Sequence, residues 1–359
     1  MAFASTSAMP ELPTDRLHDL AAIDTGGLPI VSLYLNTEPD GNGRPRYDVF
    51  LRKDLRERTA TYPEHSVERE SVDADVARIE RYIATDLQPS TRGLAIFACG
   101  AANVFEAIQL DVPFERHELL VGSQPHLYSL ARLDDEHPRY AAVVVDTNLA
   151  RIVVFSTGCT VASDEVRSEK TKHVKSGGWS QARFQRHVDQ KHVQHAKDVV
   201  DRLEAIVRAD AVNHIVLAGD EVAVPLIRQQ LPDHLEKKVV DVVRLDIRSP
   251  EHEILAATLE ALRQKDEEGD ESAVRAAVDE FRASGLGTVG LQRVRAALAA
   301  GQVHVLMLTA SPGRITGGDK VANELVVLAT QTAAQVRFIE NPELLQSFDG
   351  VAASLRYVR

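Results

Sequence analysis

The chain has 359 residues, 44% hydrophobic and 26% charged, with a formal net charge of -12; a length of this kind predicts two or three domains of about 100 to 200 residues with room for sizeable cores. The negative balance excludes indiscriminate nucleic-acid binding over the whole surface, because sequence-independent binding to phosphates needs clustered Lys and Arg, so any RNA contact has to be local. Two cysteines, Cys99 and Cys159, are too few for a disulfide framework or an all-cysteine zinc site and point to a reducing, intracellular setting.

The opening MAFASTSAMPELPTDR lacks a positive region followed by an apolar one, and no run of about 18 apolar residues occurs anywhere, so a cytoplasmic protein with no membrane span is expected. PIVSLYLNT (29–37) predicts a strand, charged amphipathic segments follow at 46–60 and 67–87, and RGLAIFACGAANVFEAIQL predicts two strands around a Gly-containing turn. LARLDDEHPRY (130–140) looks like a boundary. YAAVVVDTNLARIVVFSTG predicts two strands joined by Asp146, Thr147 and Asn148. A basic segment comes next, then a long helix to about Val207, a strand HIVLAGD, a helix near 221–230 and a strand VVDVVRLDI. DEEGDE (266–271) offers almost nothing to bury and reads as a linker or a solvated helix. Beyond it, LQRVRAALAAG, VHVLMLT, KVANELVVLATQTA and AQVRFIE alternate helix and strand. The alternation predicts an α/β (α+β) fold, divided as 1–135, 136–263 and 264–359.

The basic segment KHVKSGGWSQARFQRHVDQKHVQHAK (172–197) stands apart. At 100° per residue, Phe184, Val188, His192, His195, Val199, Leu203 and Ile206 share one side of a helix. Arg183, Arg186, His187, Gln190, Lys191, Gln194 and Lys197 share the other. The segment holds Lys172, Lys175, Arg183, Arg186, Lys191 and Lys197 against one acid, Asp189. A charged helix face is usually just a solvated face. What favours an anionic target is the loop ahead of it: Ser176, Gly177 and Gly178 permit close backbone approach at the N-terminus of a positive helix.

KSGGWSQARFQRHVDQKH resembles the loop and following helix of the class-1 release factors of archaea and eukaryotes, whose Gly-Gly-Gln-Ser-Ala-x-Arg-Phe run is matched at Gly177, Gly178, Ser180, Arg183 and Phe184. Trp179 occupies the family's glutamine position, and a glutamine follows two places later as Gln181. That displacement is similar to the pattern of the bacterial release-factor-like proteins and of the ribosome-quality-control peptidyl-tRNA hydrolase. GTVGLQRVRAALAAGQVHVLML and the ending SFDGVAASLRYVR resemble the family's third domain and its tail, while VSLYLNTEPDGNGR resembles the shorter N-terminal domain of the bacterial group. No stop-codon-reading motif is found. The resemblance implies a three-domain release-factor-like architecture, with a central mixed sheet carrying the loop and basic helix and a C-terminal α/β RNA-binding-like domain.

It further implies that the loop enters the peptidyl-transferase centre, where water attacks the ester between peptide and tRNA. Gln181 is then the candidate for stabilising the oxyanion, by its side chain or its backbone N–H, although it also suits a first helical turn. Gly177 and Gly178 give access. Trp179 either stacks on a base or anchors a core, and Ser180 is a helix cap sooner than a nucleophile. Arg183, Arg186, Lys191, Lys172 and Lys175 would hold phosphates of rRNA or peptidyl-tRNA. The implied partners are the ribosome and a translational GTPase, with no membrane, DNA, metal or cofactor. Two readings stay open beside hydrolysis: a pelota-like hibernation factor that occupies the A site without catalysis, and an α/β scaffold that has lost its ribosome contacts.

Four weaker signals remain. SPGRITGGDK (311–320) departs from a P-loop because Asp319 separates Gly318 from Lys320 and no Ser or Thr follows, so a surface turn is expected. Asp146, Asp220 and Asp246 end strand-like runs as nuclease metal ligands do, but turn formation or capping is the commoner use. His192 and His195 are expected to be satisfied core residues. GRPRYDVFLRKDLRER, with six Lys or Arg against three acids, suits either the small ribosomal subunit or a solvated helix.

Overall fold

The computed structural model describes residues 13–41, 46–168, 180–210 and 212–357, with the side chains of 13–15, 56, 59 and 180–189 excepted. Contacts divide the chain into Met1–Glu136 with Gly269–Arg359, and His137–Glu268.

In the first unit, α1 (Pro13–Ala21) precedes β1 (Ile30–Asn36), whose alternating side chains face two different cores. Val31, Leu33 and Leu35 face α2 (Tyr47–Thr59) and α3 (Val67–Thr85), meeting Leu51, Leu55, Val72 and Ile79. The α3 start is fixed by Ser66, whose Oγ accepts the Arg69 N–H at 3.1 Å. β2 (Gly93–Cys99), β3 (Val104–Leu110) and β4 (Glu118–Gly122) complete an antiparallel sheet in the order β3-β2-β1-β4. LARLDDEHPRY lies mostly within a helix, α4 (Tyr128–Glu136), which buries Leu130, Ala131 and Leu133.

The second unit is built on YAAVVV. All six residues of β5 (Tyr140–Val145) are buried, as a strand covered on both faces requires. β6 (Leu149–Ser156) returns antiparallel, and β7 (Cys159–Arg167) adds a polar edge strand that alternation did not announce. After α5 (Ser180–Ala209) the chain crosses to β8 (His214–Gly219), parallel to β5, and then passes through α6 (Ala223–Gln230) and α7 (Asp233–Glu236) to β9 (Val239–Val243). The sheet order is β7-β6-β5-β8-β9. One face carries Ala141, Val143, Ile152 and Leu217 against α5 and α6. The other carries Tyr140, Val144, Phe155 and Val216 against Ile254 and Leu262 of α8 (Glu251–Arg282).

Of the two readings of DEEGDE, the solvated helix holds, because α8 runs through it. Pairs such as Lys265–Glu268 and Arg275–Glu271 support the exposed face, and Asp270 is buried with the Arg337 guanidinium 2.7 Å away.

The last stretch completes the first unit: β10 (Gly287–Val289), α9 (Leu291–Ala299), β11 (Val303–Thr309), α10 (Gly318–Gln331), β12 (Gln335–Ile339) and β13 (Val351–Leu355). Its sheet runs β10-β13-β11-β12, with only β11 and β12 parallel. Leu306, Leu308, Leu325 and Val351 share one hydrophobic core with Tyr34, Phe97 and Leu130 of the first stretch. Buried Asn323 of α10 closes that junction: its Oδ1 accepts the N–H groups of Leu127 (2.7 Å) and Tyr128 (3.3 Å), and its Nδ2 donates to the Pro125 carbonyl (3.1 Å).

Candidate nucleic-acid interface

α5 is a 30-residue helix, about 45 Å long at 1.5 Å per residue. Burial along it has the period the sequence predicts. His195, Ala196, Val199, Val200, Leu203, Ile206 and Val207 are buried, whereas Gln190, Gln194, Lys197, Asp201 and Arg208 are exposed. Among the side chains described on α5, from Gln190 onward, His195 is the first that is fully buried.

Charge is distributed unevenly along this helix. Arg202 is held by Asp164 of β7, Arg208 pairs with Glu204 at 3.0 Å, and Arg139, ahead of β5, reaches Asp210 just past the helix end at 2.9 Å. Those pairs neutralise the docked half. Lys191 and Lys197, nearer the N-terminus, have no ion pair among the described residues.

The predicted site residues fall around the start of this helix. α5 begins at Ser180, so the backbones of Gln181, Arg183 and Arg186 lie in its first two turns; the side chains of these four lie outside the described residues. Lys172, Lys175, Gly177, Gly178 and Trp179 lie outside them altogether. Lys191 is placed half-buried on the helix.

The chain after β7 meets the β5–β6 turn at Ser168. Asp146 Oδ1 accepts the N–H groups of Asn148 and Leu149, both at 2.7 Å, and the Ser168 N–H donates to the Asn148 carbonyl at 2.8 Å. Asp220 Oδ1 accepts from Val222 (2.9 Å) and Ala223 (2.6 Å) at the head of α6, and Asp246 Oδ1 accepts from Arg248 at 2.8 Å. These aspartates are turn and cap residues. No group of His, Cys, Asp or Glu among the described residues could hold a metal ion.

His195 corrects one expectation. It is buried, as predicted, but it is not a satisfied core residue, since neither ring nitrogen completes a hydrogen bond with a described residue. His192 is half-buried. In SPGRITGGDK, a 3-10 turn (Pro312–Arg314) leads into α10, with Gly317 at φ +94°. Among the described residues no helix is long and apolar enough to cross a membrane.

No curated protein matches the chain. Among solved structures, an archaeal translation termination factor, aRF1, aligns at 18% identity over 96% of each chain, with a TM-score of 0.26. A model of ribosome-bound archaeal Pelota and ABCE1 aligns at 15% identity over 96% of this chain and 94% of that one, TM-score 0.44. Dom34 of S. cerevisiae, described as a translation termination-like factor interacting with Hbs1, aligns at 13% identity over 74% of this chain and 80% of that one, TM-score 0.43. Scores of this size carry no functional argument. A family model does match, over the stretch that holds β5 to β9, α5 and α6: residues 125–263 are similar to bacterial archaeo-eukaryotic release factor family 10.

Proposed function

We propose that the chain is a ribosome-associated factor of the release-factor type, which presents the GGWSQ loop to the peptidyl-transferase centre and promotes hydrolysis of peptidyl-tRNA. The observation that carries this reading is the make-up of α5. It buries one face between His195 and Val207 and pairs Arg202 and Arg208 with Asp164 and Glu204, while Lys191 and Lys197 have no ion pair among the described residues, in a chain of net charge -12. A positive shaft of that kind suits a phosphate-lined site, and the match of 125–263 to a release-factor family supports the same direction.

The chemistry asks for no nucleophilic side chain. Water attacks the ester carbonyl, and a placed donor to the developing oxyanion contributes about 100 to 1000-fold in rate. Gln181 is assigned that role, Gly177 and Gly178 allow approach, and Trp179 stacks on a base for about 1 to 3 kcal/mol. Ser180, Arg183, Arg186, Lys191, Lys172 and Lys175 hold RNA phosphates. The ribosome and a translational GTPase are the partners this reading assigns, the cytoplasm its setting, and 1–135, 136–263 and 264–359 its working division of the chain. Trp179 at the family's glutamine position favours a second reading, in which the loop occupies the A site as a hibernation factor without hydrolysis.

Co-sedimentation with ribosomes across a salt series tests the association. Binding should weaken with salt, and Lys191→Glu should weaken it further and flatten the slope by about 0.7 for a single-stranded contact. Absence of salt-dependent binding by the wild type would overturn both readings.

A further inference from the structure

The two sides of α2, in the first unit, do different work. Tyr47, Leu51 and Leu55 are buried in the core beneath it, so the apolar side of the helix is used inside the unit. On the opposite side Val49 is 79% exposed. Within about 60° of Val49 around the helix stand Arg46, just ahead of its first turn, with Arg52 and Lys53, all exposed, and no acid.

These three cations make no ion pair among the described residues. Partners are within reach in sequence, since Asp48 and Glu57 stand four places from Arg52 and Lys53, the spacing that pairs Arg69 with Asp73 on α3 and Arg275 with Glu271 on α8. Elsewhere in the first unit Arg16, Arg116, Arg132 and Arg295 are each held by a carboxylate. A face that served solubility alone would intersperse both signs. This arc is cationic throughout, in a chain of net charge -12.

The chemistry of the arc selects among anionic partners. A helix that lies on a membrane needs an apolar side to enter it, and that of α2 is already inside the fold. A protein partner needs a buried apolar or aromatic centre, for which the arc offers only Val49, and such interfaces are poor in lysine. Nucleic-acid interfaces are more polar and far more positive. From Arg46 to Lys53 the helix advances about 10 Å at 1.5 Å per residue, and a stacked strand presents a phosphate about every 3.4 Å. Three cations therefore face about three phosphates.

We propose that the outward arc of α2, with Arg46, Arg52 and Lys53 around Val49, is an RNA-binding surface that grips the phosphate backbone of a single strand without reading its sequence. It is a second contact, separate from that assigned to α5. The choice of RNA rests on the ribosomal reading above, whereas the phosphate contact does not.

The test is binding of poly(U) RNA by the full-length chain across a salt series, with poly-glutamate as competitor. The triple variant Arg46→Gln, Arg52→Gln, Lys53→Gln should make the fall of log affinity with log salt shallower by about 2, at about 0.7 per lost phosphate contact. All three positions are exposed, so its melting temperature should match that of the wild type. Arg81→Gln, which removes an exposed cation of α3 with no ion pair among the described residues, should change the slope by less than about 0.7. Poly-glutamate at equal charge should displace little RNA. An unchanged slope in the triple variant overturns the proposal, as does a wild type that binds no poly(U), and displacement by poly-glutamate overturns it in favour of an acidic protein. Lys191→Glu reads the α5 contact in the same assay: a silent Lys191→Glu beside a shallower triple variant counts against the α5 reading and leaves this one standing.

Discussion

Arg202, in the docked half of α5, grips Asp164 on the edge strand β7. Both side chains are partly exposed, 47% and 31%, so this latch is worth less than about 1 kcal/mol. The helix is held chiefly by its apolar face. A double-mutant cycle on Arg202→Ala and Asp164→Ala in urea should give a coupling below about 1 kcal/mol. Leu203→Ala, at a site with no exposure, should cost about 2 to 5 kcal/mol.

Asn323 does for the first unit what no single apolar contact does, since it satisfies two N–H groups and one carbonyl of the segment leading into α4. Asn323→Ala leaves those buried groups unpaired and should cost about 2 to 4 kcal/mol in chemical denaturation. Asn323→Asp keeps the acceptor and loses the donor, so its loss should be measurably different from that of alanine.

Gly219 sits at φ +143° at the end of β8, and a Cβ placed there would lie 2.0 Å from the Val145 carbonyl oxygen of β5. That contact involves backbone and cannot be relieved by a rotamer change. Gly219→Ala should therefore lower the melting temperature by several degrees, a loss of about 2 kcal/mol or more, and separate the C-terminal ends of the parallel pair.

Asp75 gives the first unit a pH signature. Its carboxyl is buried, Oδ1 accepts the Gly100 N–H at 2.8 Å and Oδ2 has no partner among the described residues. Burial raises its pKa against the opposing pull of the Gly100 bond and Arg78. The folded state thus takes up a proton more readily than the unfolded chain, and this group's contribution to stability falls as pH rises through the raised value. Asp75→Asn keeps the acceptor and removes the charge. Denaturation midpoints from about pH 4 to pH 8 should show that component in the wild type and its absence in Asp75→Asn.

Much of this fold is legible in the sequence because several strands are apolar enough to speak for themselves: PIVSLYLNT, YAAVVV, HIVLAG and VHVLMLT all became buried strands. The polar run CTVASDEVR did not announce β7, since an edge strand buries little. DEEGDE left a linker and a solvated helix both open, because charge density does not separate them; the neighbours Val274, Ala277 and Val278, which bury the next turns, go with the helix. Periodicity shows that a face is buried but not what buries it, so the core shared by the first and last stretches could not be read from the chain. For the site, the pattern placed His195 on the inner face of α5, but the missing partners of its nitrogens depend on three-dimensional surroundings. The resemblance seen in KSGGWSQARFQRHVDQKH agrees with the family match over 125–263.

The most direct test of the proposed function is peptide release from stalled ribosome–nascent-chain complexes, followed with co-sedimentation for wild type and Gln181→Ala. Hydrolysis through Gln181 predicts release by the wild type and a loss of about 100 to 1000-fold in the variant, with ribosome binding retained by both. Binding without release by either protein would contradict catalysis and favour occupation of the A site, and absence of binding would contradict the ribosomal assignment itself.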